Sequence, residues 1–291
     1  MNQFFMQFIN GLNIGSIYAL IALGYTMVYG IAKLINFAHG DVIMVGAYIS
    51  FISMKFGLPW WLAVIISIVV CAVLGVVMEK VAYKPLRNAS RISLLITAIG
   101  ISYLLQNLFQ LIFGANPQPY HAFITLPALN LGGISIQANY YITFSVSVVL
   151  MILLTLFVNK TTMGKAMRAV SEDEGAAKLM GINVDTTISL TFAIGCALAA
   201  IAGILYANCY PMINPTLGSL PGIKAFIAAV LGGIGSIPGA VIGAFILGMV
   251  EAMTKAYISS QLTDTIVFAI LILMLVFKPA GILGKNVKEK V

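Results

Sequence analysis

The sequence predicts an all-α, polytopic bundle of transmembrane helices. Three observations carry that prediction: an apolar composition, apolar runs of spanning length, and basic residues gathered into clusters between the runs. Of the 291 residues, 60% are apolar and 9% charged, with a mean hydropathy of +1.02, whereas an average soluble domain carries about 25% charge. Too little polar surface exists to hold such a chain in water. A bilayer core takes roughly 20 apolar residues per helix, and in lipid only helices and closed barrels satisfy their own backbone. Continuous apolar runs, rather than ten-residue segments of alternating polarity, argue against the barrel.

Taken in order, Phe5 to Tyr29 reads as the first span. Its start has no basic residue and it runs too long for a cleaved signal, so it should stay as a membrane helix. Val42 to Met54 is apolar but short for a crossing. Trp60 to Met78 is a full span with two tryptophans at its start, where interfacial aromatics belong. Ile92 to Phe113 and Tyr140 to Val158 form a hairpin across an uncharged loop rich in Pro and Asn. Thr187 to Leu205 is a further span, and Asn208 to Gly222, with three prolines, reads as an outside loop. Ile223 to Leu231 is again short and is broken by Gly232-Gly233-Ile234-Gly235-Ser236-Ile237-Pro238-Gly239. Ala240 to Met253 and Thr265 to Phe277 complete about eight spans, all in one membrane domain covering residues 1–291.

The net charge of +7 raises nucleic acid as a partner, and the placement of the charges argues against it. Twelve of the sixteen basic residues lie in three clusters: Lys80, Lys84, Arg87 and Arg91; Lys160, Lys165, Arg168 and Lys178; Lys278, Lys285, Lys288 and Lys290. Between Ile92 and Asn159 there is no charged residue at all. Basic clusters alternating with uncharged connections follow the positive-inside rule, so all three clusters, and the C-terminus with them, are expected in the cytoplasm.

A short interrupted apolar segment in each half suggests discontinuous helices of the kind that line substrate paths. That reading places Asn36, His39, Gly40 and Asp41 at the first break, and Gly232, Gly233 and Gly235 at the second, along a translocation path. The alternative is two half-length helices that merely pack. Gly239 and Gly243, four apart, read as a helix-packing pair. Of the other ionisable residues near spans, Lys33, Glu79, Lys224, Glu251, Lys255 and Asp264 lie close enough to predicted ends for snorkelling to explain them.

The longest polar stretch, residues 159–187, is expected to be cytoplasmic. Ser171 and Glu174 have the spacing of a capping box, and the acids Glu172, Asp173 and Glu174 suit a helix N-terminus. A helix from Glu172 to Met180, stopped by Gly181, would show Ala176, Ala177, Leu179 and Met180 on its surface. That apolar face needs a partner, either the protein's own membrane ends or another subunit.

No Walker A, HExxH or GxSxG pattern occurs, and His39 and His121 are isolated. Catalysis, ATP binding, a cofactor and a metal site are not expected. Cys71, Cys196 and Cys209 read as small residues in apolar runs.

Gly15-Ser16-Ile17-Tyr18-Ala19-Leu20, then Asn36-Phe37-Ala38-His39-Gly40, then Gly232 to Ala240 resemble the branched-chain amino acid permease family of bacterial ABC importers, in order and over nearly the whole chain. Glu174 with Ala176, Ala177, Met180 and Gly181 resembles the coupling motif of such permeases, departing from a strict Glu-Ala-Ala by the intervening Gly175. The resemblance implies a pore subunit in the bacterial inner membrane that moves Leu, Ile or Val by alternating access. Its implied partners are a second related permease, two cytoplasmic ATPase subunits and an external substrate-binding protein. A permease for another small amide or urea is the nearest alternative, and an ion-coupled carrier a more distant one, since intramembrane acids are few.

Overall fold

The computed structural model describes residues 2–33, 36–87, 89–124, 126–131 and 134–284; Lys285, Lys288 and Lys290 of the third basic cluster lie outside them. Among the described residues six helices are long and apolar enough to cross a membrane. They are α1 (Asn2–Ala32), α3 (Trp60–Met78), α4 (Arg91–Phe113), α5 (Ala138–Lys160), α8 (Val184–Cys209) and α10 (Ile237–Tyr257). Three shorter ones join the bundle: α2 (His39–Lys55), α9 (Ser219–Gly232) and α11 (Thr263–Phe277). Two more, α6 (Thr162–Glu172) and α7 (Glu174–Leu179), cover one end.

α1 is the hub. It is buried on nearly every side from Ile17 to Val28, with α10 on one flank and α8, α5 and α9 around the rest. The sequence allows this because α1 meets α10 through glycines: a Cβ on Gly15 would press on the Phe245 backbone, and one on Gly248 on the Gly15 backbone. Without a hydrophobic driving force between helices in lipid, such close approach maximises dispersion contact. α10 meets α9 in the same way, since a Cβ on Gly243 would strike the Ala228 carbonyl and one on Gly239 the Gly232 carbonyl. The Gly239/Gly243 pair is therefore packing, as its spacing predicts.

α3, α4 and α5 show a different surface, with Val69, Val73, Ile92, Ile96, Leu104, Leu111, Val149 and Leu153 exposed. An apolar exterior is what a lipid-facing helix requires.

Three expectations are refined. The spans on either side of the 114–137 loop are consecutive, as read, but α4 and α5 do not lie side by side: α4 lies against α2, and α5 against α1 and α8. The connection between them spans residues 114–137, long enough to carry α5 to the other side of the bundle. It is fastened where it passes: Gln118–Pro119 pairs antiparallel with Met212–Ile213, Tyr120 bonds Ser50 at 3.0 Å, and Trp60 stacks on Phe123 at 5.4 Å. Second, the end of the proline-rich 208–222 segment is helical, because α9 starts at Ser219 and Pro221 sits in its first turn, where a missing N–H costs nothing. Third, α2 starts three residues before the predicted apolar run, so His39, Gly40 and Asp41 belong to its first turn.

The two ends of the bundle differ in charge. One end gathers the Lys80–Arg87 turn, α6, α7 and the Gly233–Ser236 turn; at the other lie the 114–137 connection and the starts of α1 and α5. Asn13 of α1 lies 3.7 Å from Cys209, and Gly30 packs on Gly235. α1 therefore begins at the end opposite the basic clusters, which the sequence left unsettled.

Candidate functional site

At the first break α1 ends with Lys33 in the left-handed region, φ 55°, and α2 starts at His39. This start lies deep in the bundle, beside Gly24, where a Cβ would collide with the His39 ring. Asn36, His39 and Asp41 are all buried. The Asn36 Oδ1 accepts a hydrogen bond from the Tyr83 hydroxyl at 2.7 Å, while its Nδ2 has no partner among the described residues. The His39 ring stacks edge-on against Tyr25 at 4.7 Å, and neither of its nitrogens has a partner among those residues. Asp41 Oδ1 accepts from Gln106 Nε2 of α4 at 2.8 Å, and the same amide reaches Ser219 Oγ of α9 at 3.2 Å. Gly40 touches the Gly218 carbonyl and Gly222, so the starts of the two short helices meet.

The second break is elsewhere. Gly235 lies beside Gly30, six residues along α1 from Gly24, or roughly 9 Å at 1.5 Å per residue. Gly232 packs backbone to backbone on Gly239, and Gly233, at φ 106°, against Gly284. The carbonyls of Leu231 and Gly232 accept from Ile282 and Leu283 N–H at 2.9 Å. Ser236 Oγ caps α10 by accepting from Gly239 N–H. The structure thus joins Asn36–Asp41 to the start of α9 and not to Gly232, Gly233 and Gly235 at its end.

At the basic end, α6 is amphipathic and seats Gly164, Met167 and Val170 inward. The predicted cap is corrected: Ser171 remains inside α6, its Oγ donating to the Arg168 carbonyl. Asp173 caps α7 instead, its Oδ1 accepting from Ala176 N–H at 2.9 Å. Gly181 does end the helix, at φ 81°. Ile182 N–H reaches the Ala177 carbonyl and Gly181 N–H that of Lys178, the two bonds of a Schellman stop. Ala177 is not on the surface as expected but buried, at 3% exposure. What protrudes is Glu174, Gly175, Ala176, Leu179 and Met180, the last two at 90% and 82% exposure.

Two ionic clusters went unrecognised in the sequence. Beyond α3 the chain widens into a π-helical turn, Glu79–Tyr83. There the fully buried Glu79 holds Arg87 and accepts from Ser189 Oγ at 2.5 Å. Arg87 also pairs with Asp185 at 2.7 Å, as does Lys84. At the opposite end, Glu251 pairs with Lys224 at 3.1 Å and Lys255 at 2.6 Å, Tyr18 donates to it at 2.7 Å, and Lys224 reaches Asp264 at 2.7 Å. Only Glu251–Lys255, at i,i+4, was legible as a pair. Among the described residues no three metal-ligating side chains converge.

Comparison with known proteins agrees with this architecture. The family model described as "Branched-chain amino acid transport system / permease component" matches residues 7–275. The chain is 46% identical to the high-affinity branched-chain amino acid transport system permease protein LivH of Salmonella typhimurium, over 99% of this chain and 98% of that one. It is 44% identical to the corresponding permease protein BraD of Pseudomonas aeruginosa, with the same coverage. LivM of Salmonella typhimurium, a permease protein of the same high-affinity system, is 27% identical over 76% of this chain and 57% of its own length.

Proposed function

The chain belongs to the family of permease components of branched-chain amino acid transport systems, and from that premise we propose that it builds, with a second related permease, the membrane pathway for Leu, Ile and Val. It is a multi-pass inner-membrane permease of an ABC importer. The observation that carries the substrate is the 46% identity to LivH over 99% of this chain and 98% of that one. That LivH and LivM are distinct permease proteins of one system supports a related rather than identical second subunit.

Sidedness follows from charge. With the basic end in the cytoplasm, residues 159–187 face the ATPase subunits, the C-terminus is inside and α1 begins outside. The knob then suits docking. Glu174, Ala176, Leu179 and Met180 offer two long apolar side chains on a rigid turn, while Ala177 is buried beneath that turn and Gly181 ends it. Pressure on α7 passes to α6, which packs on α1, α5 and α8, and so to the helices around the first break. ATP binding and hydrolysis in the partner subunits would rock these helices and expose the path alternately to each side. An external binding protein would deliver the cargo to the opposite end. Asn36, His39 and Asp41 are the polar groups we assign to the path, with Gly40 beside them allowing the close approach of α9, and Gly232, Gly233 and Gly235 forming the turn that lets α9 and α10 pack beside it.

The test is Leu179→Arg together with Met180→Glu, in a complex purified through its ATPase subunits. A charge pressed into a buried apolar contact costs several kcal/mol, so both variants should reach the membrane and lose ATPase co-purification and leucine uptake. Full retention of both would remove the knob as the docking element.

A further inference from the structure

The cluster around Glu251 lines a cavity of about 160 Å³ between α1, α8, α9 and α10. Its lining combines polar groups, from Tyr18, Lys224, Glu251 and Lys255, with apolar ones, from Ile14, Ile17, Leu220 and Pro221. Tyr206 and Tyr210, their rings 4.8 Å apart, complete it.

Lys224 is 6% exposed and Glu251 2%, which is not how snorkelling side chains sit. A buried ion pair is seldom retained for stability, since well-packed apolar residues in its place are often neutral or better. Charges kept inside a membrane protein mark function by default. The four charges, Lys224, Lys255, Glu251 and Asp264, sum to zero. A ligand that is itself neutral but carries both signs can enter by exchanging partners, with no net charge left buried. An anion or a cation alone has no such exchange. A cavity of this size has room for several waters, each about 30 Å³ in the liquid, or for one small head group. Leu220, 53% exposed, stands at its rim. Lys255 lies two residues from the end of α10 and Asp264 at the start of α11, so the cavity is near the end opposite the basic clusters.

We propose that this cavity is a receiving subsite for the zwitterionic head group of an α-amino acid, with Lys224 and Lys255 facing the carboxylate and Glu251 the ammonium. The apolar lining residues take the start of the side chain. The inference rests on the importer reading for its cargo and deepens it: the path selects the head group at its mouth, apart from any choice among side chains.

The test uses the assembled permease–ATPase complex without binding protein, carrying Cys209→Ser and a reporter Leu220→Cys; Cys71 and Cys196 are buried. Modification of the reporter by a thiol reagent should slow several-fold in millimolar L-leucine or glycine. It should not slow in leucinamide, which lacks the carboxylate, or in isocaproate, which lacks the ammonium. Lys224→Met, and separately Lys255→Met should the first fail to assemble, should raise the protecting concentration on the order of tenfold or more. Lys224→Arg should restore most of it. Protection by all four compounds alike, by none, or undiminished in the Met variants would overturn the subsite. Leucine uptake by the unaltered complex is read in parallel, so that loss of the importer reading is told apart from loss of this one.

Discussion

The two helix breaks occupy comparable places in the sequence, each beside a short apolar helix, and the chain resolves them in opposite ways. At 233–236 every device for closing a turn is present: glycines in the left-handed region, a serine cap, and residues 281–284 returning to bond the free carbonyls. At 33–41 the left-handed residue is a lysine, and the Asn36 Nδ2 and both His39 nitrogens are buried with no hydrogen-bond partner among the described residues. An unsatisfied buried polar group costs about 1–3 kcal/mol. A satisfied turn is a fixed joint, whereas an unsatisfied one is held by its surroundings and gains bonds if they move or a ligand arrives. On the pathway proposed above, the difference fits a rigid joint at the second break and a movable, cargo-facing one at the first.

The largest effect should come from Gly232→Val. The new Cβ would strike the Gly239 backbone carbonyl, which cannot rotate away, and overpacking of this kind typically costs 1–3 kcal/mol and occasionally more. The variant should be degraded or recovered at a small fraction of the normal amount, measured by immunoblot of membranes. Normal recovery and a normal thermal midpoint would mean that the second break yields, and the comparison would collapse.

A middle-sized effect of another kind is expected at His39 and Asp41. His39→Leu removes two nitrogens that have no hydrogen bond among the described residues, so the thermal midpoint should stay level or rise, while leucine uptake falls on the order of tenfold for a loss of about 1.4 kcal/mol. Asp41→Asn keeps an acceptor for Gln106 and should likewise fold and transport poorly. A drop in stability with His39→Leu would show a bonded imidazole. Unchanged uptake in both variants would make the first break as passive as the second.

Much of this was legible in the sequence where the cause is local. Apolar runs, the Gly181 stop and the Gly239/Gly243 contact each depend on a few neighbouring residues, and the structure places them as expected. The cap was misread because Ser171 and Asp173 are both able to cap, and the choice fell to Asp173 when Ser171 bonded back into α6. Ala176 and Ala177 are 100° apart on a helix, so at most one of them faces squarely inward, and only the packing of α7 on α6 and α8 decides that it is Ala177. Lys224 and Glu251 lie 27 positions apart, and Tyr18 and Glu251 233. No periodicity announces such pairs. Nor did the sequence say that the first break meets the start of the second short helix through Gly40 and Gly218.

The smallest effect separates the two left-handed positions themselves. A non-glycine residue in that region carries roughly 1–2 kcal/mol of strain, and Lys33 bears it while Gly233 does not. Lys33→Gly relieves the strain but adds freedom to the unfolded chain, worth about 0.4–1 kcal/mol in the other direction, so the net change should be a stabilisation of a few tenths up to about 1 kcal/mol. Lys33→Asn, which tolerates the left-handed region better than lysine, should stabilise without that entropic loss. Thermal midpoints of the two variants in detergent check the direction. If the strain is part of how the first break moves, uptake should fall in both even as stability rises, because a relaxed joint holds one state more firmly. If stability rises and uptake is unchanged, the lysine is kept for its charge at the basic end, and the mobility of the first break rests on His39 and Asn36 alone.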